Sequence, residues 1–505
     1  MRHPGARIAQ GPLWAQAVLA VLAGASGALA HAPFDNAIAI LIPLIAAFGL
    51  LSIARSTAAA GLLGVALGTG YFGATLTWIL EPFQVDAATT GWMAPFALVL
   101  LSVGLGLFWG AALAFARWAG ARAWVLALAL TGTEMLRAYV LTGFPWATPP
   151  QALVGGLAGQ VLAWGGPHGT MLLLMGAAAL AWTMSRQWAK AALIVALAML
   201  LDVIPLPMSD SPLTDKTVRL VQPNAPQHEK WDPARIPVFI DRQIEYTADG
   251  AVPDLVVWPE TALPYLLEHA QPAFDVIADA ARGAPVVLGI QRSEAGRYFN
   301  SLVVLDATGQ VAQTYDKHHL VPFGEYMPLP GLFRSLGIQS LADRVDGGYT
   351  AGPGPLLLDM GPLGSALPLI CYEAVFAHGV GATSERPDFL MQLTNDAWFG
   401  MRSGPQQHLA QAQMRAIEQG LPLIRSANTG ISAVIDPKGR ITAALALNEA
   451  GYVDAQLPAP GAPTLYSQTG DLPWVLFVLL GLIGAVLHRA RTRRAQAIDA
   501  PAPEA

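Results

Sequence analysis

The sequence predicts a polytopic α-helical membrane bundle of eight spans joined to an α/β domain outside the bilayer. Three observations carry that prediction. Of the 505 residues 53% are hydrophobic and only 13% charged, with a mean hydropathy of +0.43, a balance expected of a chain partly solvated by lipid. Long apolar runs fill the first part of the chain and one recurs near its end. The polar residues between and after them change character at about residue 213, where short β-rich runs begin.

A helix needs about 20 apolar residues to cross a hydrocarbon core roughly 30 Å thick. Runs of that kind are read at 14–30, 38–54, 58–80, 92–116, 122–143, 162–184 and 189–206, with an eighth at 472–488. Loops rich in Lys and Arg stay on the cytoplasmic side. Arg2 and Arg7 precede the first span, Arg55 follows the second, Arg117 and Arg122 flank the gap after the fourth, Arg186 and Lys190 fill the gap after the sixth, and Arg489, Arg491, Arg493 and Arg494 close the last. The intervening loops, 31–35, 81–86 and 142–150, hold no Lys or Arg. Both termini therefore read as inside and the polar middle as outside, which in a bacterium is the periplasm. Arg2 and Arg7 ahead of an apolar stretch ending in Ala28-Leu29-Ala30 also fit a cleaved signal peptide, and the charge pattern is the same either way.

The expected organisation is a membrane domain of seven helices over 1–212, an outer domain over 213–465, a C-terminal span within 466–490, and a disordered cytoplasmic tail over 491–505. In the outer domain, Val218–Val221, Asp254–Val257, Val286–Ile290, Ser301–Leu305, Ala366–Ile370 and Phe389–Leu393 read as strands, and 270–282 and 406–420 as helices. Alternation of the two kinds implies α/β layers. The net charge of -6, without a basic stripe, gives no support to a nucleic-acid partner. Within the fifth span, Glu134 and Arg137 lie three residues apart on one helix face, where charges are expensive unless they pair.

A single cysteine, Cys371, excludes an intrachain disulfide and leaves either a buried small hydrophobe or a working thiol. Three segments end an apolar strand on an ionisable residue: Leu255 to Glu260 (LVVWPE), Tyr315-Asp316-Lys317, and Leu367 to Glu373 (LPLICYE). Singly, Glu260 reads as a helix cap, Lys317 as a surface charge and Cys371 as core. Together a carboxylate, an ammonium and a thiol form a set able to take a proton, steady an oxyanion and attack a carbonyl. His318 and His319 alternate along a strand and the other histidines are scattered, so no metal is expected.

The motifs WPE ending at Glu260, Lys317 followed by PFGEY ending at Tyr326, and Cys371-Tyr372-Glu373, in that order, resemble the Glu-Lys-Cys triad of the nitrilase superfamily. The resemblance implies a four-layer α-β-β-α sandwich and a thioester on the cysteine. Glu260 would be the general base, Lys317 the oxyanion stabiliser and Cys371 the nucleophile. A nitrilase-like domain among eight spans is, more narrowly, similar to the bacterial apolipoprotein N-acyltransferase family. The stretches that carry this are His31–Asp35, Gly70–Gly73, Glu134–Arg137, Thr142–Trp146, Lys230-Trp231, Phe323–Pro328, Thr394–Gly400 and Arg425–Asn428.

That family would place the chain in the bacterial inner membrane, with its first span retained and its catalytic domain in the periplasm. Cys371 would take the sn-1 acyl chain of a phospholipid, usually phosphatidylethanolamine, and pass it to the α-amine of a diacylglyceryl-cysteine on an apolipoprotein, with no cofactor and as a monomer. By the same motifs Glu325 and Glu373 would border the nucleophile and orient Lys317 and the amine, the Tyr372 backbone N–H would join the oxyanion site, and Trp231 would stack on lipid or headgroup. The apolar stretch 320–341, broken by Pro and Gly, reads as a lid over the acyl chains or as an ordinary packed loop. Two rivals remain open at this stage: a membrane-tethered amidase using the same triad, and a transporter whose outer domain only recognises substrate.

Overall fold

A computed structural model describes residues 11–184, 210–329, 331 and 348–498. The span read at 189–206, and residues 330 and 332–341 of the 320–341 loop, lie outside the described residues. The chain divides into two compact units, one of Met1–Leu80, Thr90–Pro207 and Gln468–Ala505, the other of Glu81–Thr89 and Met208–Ser467.

The first unit is helical: α1 Leu13–Ala25, α2 Leu41–Ile53, α3 Thr57–Thr75, α4 Ala94–Trp118, α5 Ala123–Tyr139, α6 Leu162–Met184 and α10 Leu472–Ile498. Among the described residues five helical stretches are long and apolar enough to cross a membrane: Leu13–Ala30, Thr57–Thr75, Ala87–Trp118, Ala123–Thr142 and Leu472–Gln496. The stretch Ala37–Ile53 is shorter. The backbone of α6 leaves helical geometry at Gly166, next to Pro167, which has no N–H to give the preceding turn. Helix α10 continues past the apolar run through the four arginines, so residues 491–498 are helical.

Helices α3 and α4 approach through glycines four residues apart on each. A Cβ at Gly64 would lie 2.8 Å from the Gly110 Cα, and one at Gly68 would lie 2.7 Å from the Gly106 Cα. Lipid supplies no hydrophobic drive between helices, so backbones this close gain from dispersion across small residues. The α5 charges are paired: Arg137 Nη2 donates to Glu134 Oε2 at 2.5 Å, Trp109 Nε1 donates to Glu134 Oε1 at 2.8 Å, and Arg137 also holds the carbonyls of Phe144 and Trp146.

The second unit contains two six-stranded sheets. The first has the order β12-β1-β2-β3-β4-β5 and the second β11-β10-β9-β8-β7-β6. Their strands are β1 Leu213–Gln222, β2 Leu255–Val257, β3 Val286–Glu294, β4 Arg297–Leu305, β5 Val311–Asp316, β6 Leu358–Asp359, β7 Ser365–Ile370, β8 Phe389–Thr394, β9 Leu423–Ala427, β10 Ser432–Ile435, β11 Ile441–Leu445 and β12 Gly451–Pro458. Strands β1, β2 and β3 run parallel, as do β7, β8 and β9. Where both faces are covered, as in β2 (LVV), the first half of β3 (VVLGI) and β7 (SALPLI), the strand reads as an apolar run rather than as alternation.

Val257, Val287 and Leu302 of the first sheet meet Ile370, Met391 and Ile424 of the second in one buried cluster. On the outer face of the first sheet, Val256, Val286 and Leu288 pack on Phe274 and Ile277 of α8 (Gln271–Ala281), beside α7 (Ile236–Ala248). On the outer face of the second, Leu367, Leu390 and Leu423 pack on Leu409, Ala412 and Ala416 of α9 (Gly404–Gln419). The result is helix, sheet, sheet, helix, with a fully buried Val or Leu worth roughly 1.5–3 kcal/mol each across the middle.

Candidate active site

Each of the three ionisable residues sits just past the end of its strand. Glu260 follows β2, Lys317 follows β5 and Cys371 follows β7, so the first two come from one sheet and the thiol from the other. All three are nearly closed to solvent, at 7%, 1% and 6% exposure. At Cys371 the chain turns from β7 directly into a single helical turn, Cys371–Val375, and the residue takes φ +50°. A left-handed conformation at a residue with a Cβ costs on the order of 1–3 kcal/mol and persists only where its surroundings enforce it.

Glu260 is held at both oxygens: Oε1 accepts from Asn300 Nδ2 at 2.7 Å and Oε2 from the Asn395 N–H at 2.8 Å. Its backbone lies against β3 at Gly289, where a Cβ would come within 2.6 Å of the Glu260 Cα. Lys317 Nζ donates to Glu325 Oε1 at 2.9 Å and lies 3.7 Å from Glu260 Oε1. Asn300 Nδ2 also donates to Glu325 Oε1 at 2.9 Å, and Glu325 Oε2 accepts from the Val321 N–H at 2.8 Å. One ammonium and one amide are thus shared by two carboxylates.

Burial works against the charged form of Lys317, but Glu325, Glu260 and the Cys371 side chain more than reverse this and hold its pKa above the ordinary lysine range. Burial pushes the Cys371 thiol up, and Glu260 adds to the rise while Lys317 opposes it. The resting arrangement is a thiol beside an ammonium, with a carboxylate available to receive the thiol proton.

Glu373, expected to orient Lys317, is spent elsewhere. Its carboxylate accepts from Tyr315 Oη at 2.9 Å, from the backbone N–H of His318 and Ile370 at 2.8 and 2.7 Å, and lies 2.7 Å from His318 Nδ1. Burial would raise its pKa, yet His318 and the Ile370 N–H bring it below the usual carboxylate value. It ties the end of β5 to the turn that carries the thiol. His318 and His319 both follow β5 rather than alternating along it; His319 stacks on Phe376 with 3.7 Å between centroids.

Tyr372 is buried within the Cys371–Val375 turn, and its ring meets Phe376 edge-on. Trp231 is 40% exposed, with Lys230 Nζ 5.1 Å from its ring centroid. Lys230 donates to the Glu260 carbonyl at 3.3 Å, and burial lowers its pKa to about 8. Asn300 and Asn395 are site residues that the sequence reading missed. Asn300 lies inside β4 (RYFNSLVVL), a polar side chain at the start of the strand's buried part, which was the available signal.

Fold and site together define the class. Residues 205–462 match the carbon-nitrogen hydrolase family, and residues 23–180 match the apolipoprotein N-acyltransferase N-terminal domain. Relatives named apolipoprotein N-acyltransferase include those of Rhodopseudomonas palustris (36% identical, covering 96% of this chain and 98% of the relative) and Caulobacter vibrioides (38%, 97% of each). That of Bradyrhizobium diazoefficiens is 39% identical over 95% of this chain and 96% of its own. Among solved structures, an amidase from Nesterenkonia sp. is similar at 20% identity and TM-score 0.34, over 50% of this chain and 92% of that one. A CN-hydrolase superfamily protein from Xanthomonas campestris is similar at 22% and 0.36, over 52% and 97%. The chain belongs to the apolipoprotein N-acyltransferase family.

Proposed function

We propose that the enzyme moves an acyl chain from the sn-1 position of a membrane phospholipid, phosphatidylethanolamine in the first instance, onto Cys371. From there the chain passes to the α-amino group of the N-terminal diacylglyceryl-cysteine of an apolipoprotein. The observation that supports this most is the cluster of Glu260, Lys317 and Cys371 at three strand ends, in a chain similar to N-acyltransferases along nearly its whole length.

In the first stage Cys371 Sγ forms a bond to the ester carbonyl carbon while its proton goes to Glu260. Negative charge on the carbonyl oxygen is met by the Lys317 ammonium and the Tyr372 N–H. The C–O bond then breaks, Glu260 returns the proton to the departing alkoxide, and lysophospholipid leaves a thioester. In the second stage the acceptor amine forms the amide bond, gives a proton to Glu260, and the thiolate leaves and is reprotonated. Glu325 keeps Lys317 charged and aimed, Glu373 braces the turn beneath the thiol, and Trp231 is the candidate lipid contact.

Eight spans with both termini inside, and a catalytic domain on the periplasmic face of the bacterial inner membrane, suit this chemistry. Both lipid substrates stay in the bilayer, and moving an acyl chain into water costs about 0.8 kcal/mol per methylene. The proposed working form is a monomer. Intact-protein mass spectrometry after incubation with phosphatidylethanolamine alone tests the reading. A hydroxylamine-labile acyl adduct is expected on the wild type and not on Cys371→Ala, discharged onto a diacylated lipopeptide when that is added. Absence of any adduct on folded protein would overturn it, and discharge to free fatty acid alone would favour amidase-type hydrolysis.

A further inference from the structure

Cys371 pays for its left-handed backbone, and something must hold it there. Its carbonyl oxygen faces a cluster that the acyl-transfer steps do not use. Gln392 Nε2 of β8 donates to it at 3.0 Å, and His408 Nε2 of α9 lies 3.1 Å away. His408 Nδ1 lies 2.9 Å from Asp396 Oδ1, and the other Asp396 oxygen accepts from Arg425 Nη2. Arg425 Nη1 donates to Gln392 Oε1 at 2.5 Å, and Thr394 Oγ1 donates to Asp396 at 2.9 Å. Gln392, Thr394, Asp396, His408 and Arg425 are all fully buried.

The protons in this cluster can be placed. Gln392 Oε1 accepts from Arg425, so its NH₂ faces both the Cys371 carbonyl and His408 Nε2, which are 3.0 and 3.1 Å away. The Asp396 carboxylate, kept at about 2 against its burial by Arg425 and His408, requires Nδ1 of His408 to carry the hydrogen. Burial and Arg425 disfavour a second proton on the ring and outweigh Asp396 and the Cys371 carbonyl, which favour one. Nε2 then presents a lone pair, accepts one Gln392 N–H, and leaves the other for the Cys371 carbonyl.

We propose that His408 is a positioning residue that, from its anchor on Asp396, orients the Gln392 amide onto the Cys371 carbonyl and so fixes the nucleophile's turn. The peptide following Cys371 is planar and trans, so a carbonyl drawn toward Gln392 sends the Tyr372 N–H the opposite way. Holding one oxygen thereby aims the oxyanion donor and sets the base from which Sγ projects. This inference rests on the acyl-transfer reading only for its choice of substrate.

Two replacements at His408 test positioning, and Gln392→Glu, which keeps the side-chain volume, separates it from packing. His408→Gln puts an amide near the Nε2 position, where its oxygen can accept from Gln392. His408→Asn puts an amide near Nδ1, where it keeps Asp396 paired but leaves Gln392 unguided. Acylation of Cys371 by phosphatidylethanolamine should stay within about tenfold of wild type in His408→Gln and fall about 100-fold in His408→Asn, in kcat with KM unchanged. Gln392→Glu, which keeps Arg425 paired but sets a carboxylate against the carbonyl, should match His408→Asn and serves if either histidine variant fails to fold.

Alkylation of Cys371 by iodoacetamide, read by mass in this single-cysteine chain, should follow the same order. It needs no lipid, so it reports on the turn even where wild-type acylation by phospholipid is absent and the functional reading itself has failed. Equal activity of His408→Asn and His408→Gln, the reverse order, or a folded Gln392→Glu that acylates like wild type would overturn the proposal.

Discussion

Asn300 offers the sharpest test of how the buried charges are held. Its Nδ2 lies 2.7 Å from Glu260 and 2.9 Å from Glu325, and replacing it by alanine removes a donor shared by both carboxylates. A hydrogen bond to a charged group is worth about 1.5–3 kcal/mol. Each carboxylate keeps a backbone donor, Asn395 N–H for Glu260 and Val321 N–H for Glu325, both at 2.8 Å, and a water can enter the space left behind. About one such bond should therefore be lost in effect, or about 2 kcal/mol, which is a roughly 30-fold slower step. The step to measure is single-turnover acylation of Cys371 by phosphatidylethanolamine, with thermal stability followed in the same detergent. Asn300→Asp would set a third carboxylate on one ammonium and should be slower than Asn300→Ala. An Asn300→Ala protein that acylates within about threefold of wild type would refute the reasoning, since backbone donors alone would then suffice.

Two further outcomes follow from the same geometry. Gly289→Ala would force a Cβ to within 2.5 Å of the Thr261 nitrogen, so Glu260 must shift; a destabilisation of about 1–3 kcal/mol with a disproportionate loss of acylation is expected, and unchanged kinetics would count against it. Because burial and then Glu260 raise the Cys371 thiol, its ultraviolet thiolate absorbance should not appear as pH passes through the usual thiol range of about 8–9. Glu260→Gln, which removes one of the charges that raise it, should bring that absorbance to lower pH while abolishing acyl transfer, and an unmoved titration would contradict the assignment.

Two strand ends, those before Glu260 and Cys371, were legible because each joins a run of covered apolar residues to an ionisable one, whereas β5 before Lys317 is largely exposed and was legible by its motif. LVVWPE and LPLICYE announce both the layer and the site, and TYDK the site alone. What each carboxylate touches was not legible. Glu373 follows Cys371 by two residues, yet the tight turn folds its side chain back to the Ile370 N–H and across to His318 and Tyr315, away from the role that adjacency suggested. Asn300, Asn395 and Gln392 are neutral amides, common in loops and turns, and their value comes from partners brought by other strands.

The membrane unit shows the same divide. Apolar runs located the helices, while the non-helical geometry at Gly166 next to Pro167 and the 3₁₀ turn leading into α2 depend on local backbone geometry that hydropathy ignores. Glu134 and Arg137 were correctly read as a pair from their spacing alone. Their further partners, Trp109 and the carbonyls of Phe144 and Trp146, arrive from outside that helical turn.

The order in which strands enter the first sheet has a consequence for biogenesis. β12, the last strand of the domain, pairs with β1, the first, from Thr217↔Gln456 to Gln222↔Gly451 and, past a shift of register, at Leu213↔Pro458. A ribosome must therefore deliver residue 458 before the outer edge of the sheet that bears Glu260 and Lys317 is complete, by which point the Cys371 segment has long been made. Until then β1, the neighbour of the strand that leads to Glu260, keeps one open edge. The domain thus gains its last backbone partner only just ahead of the final helix, Leu472–Ile498.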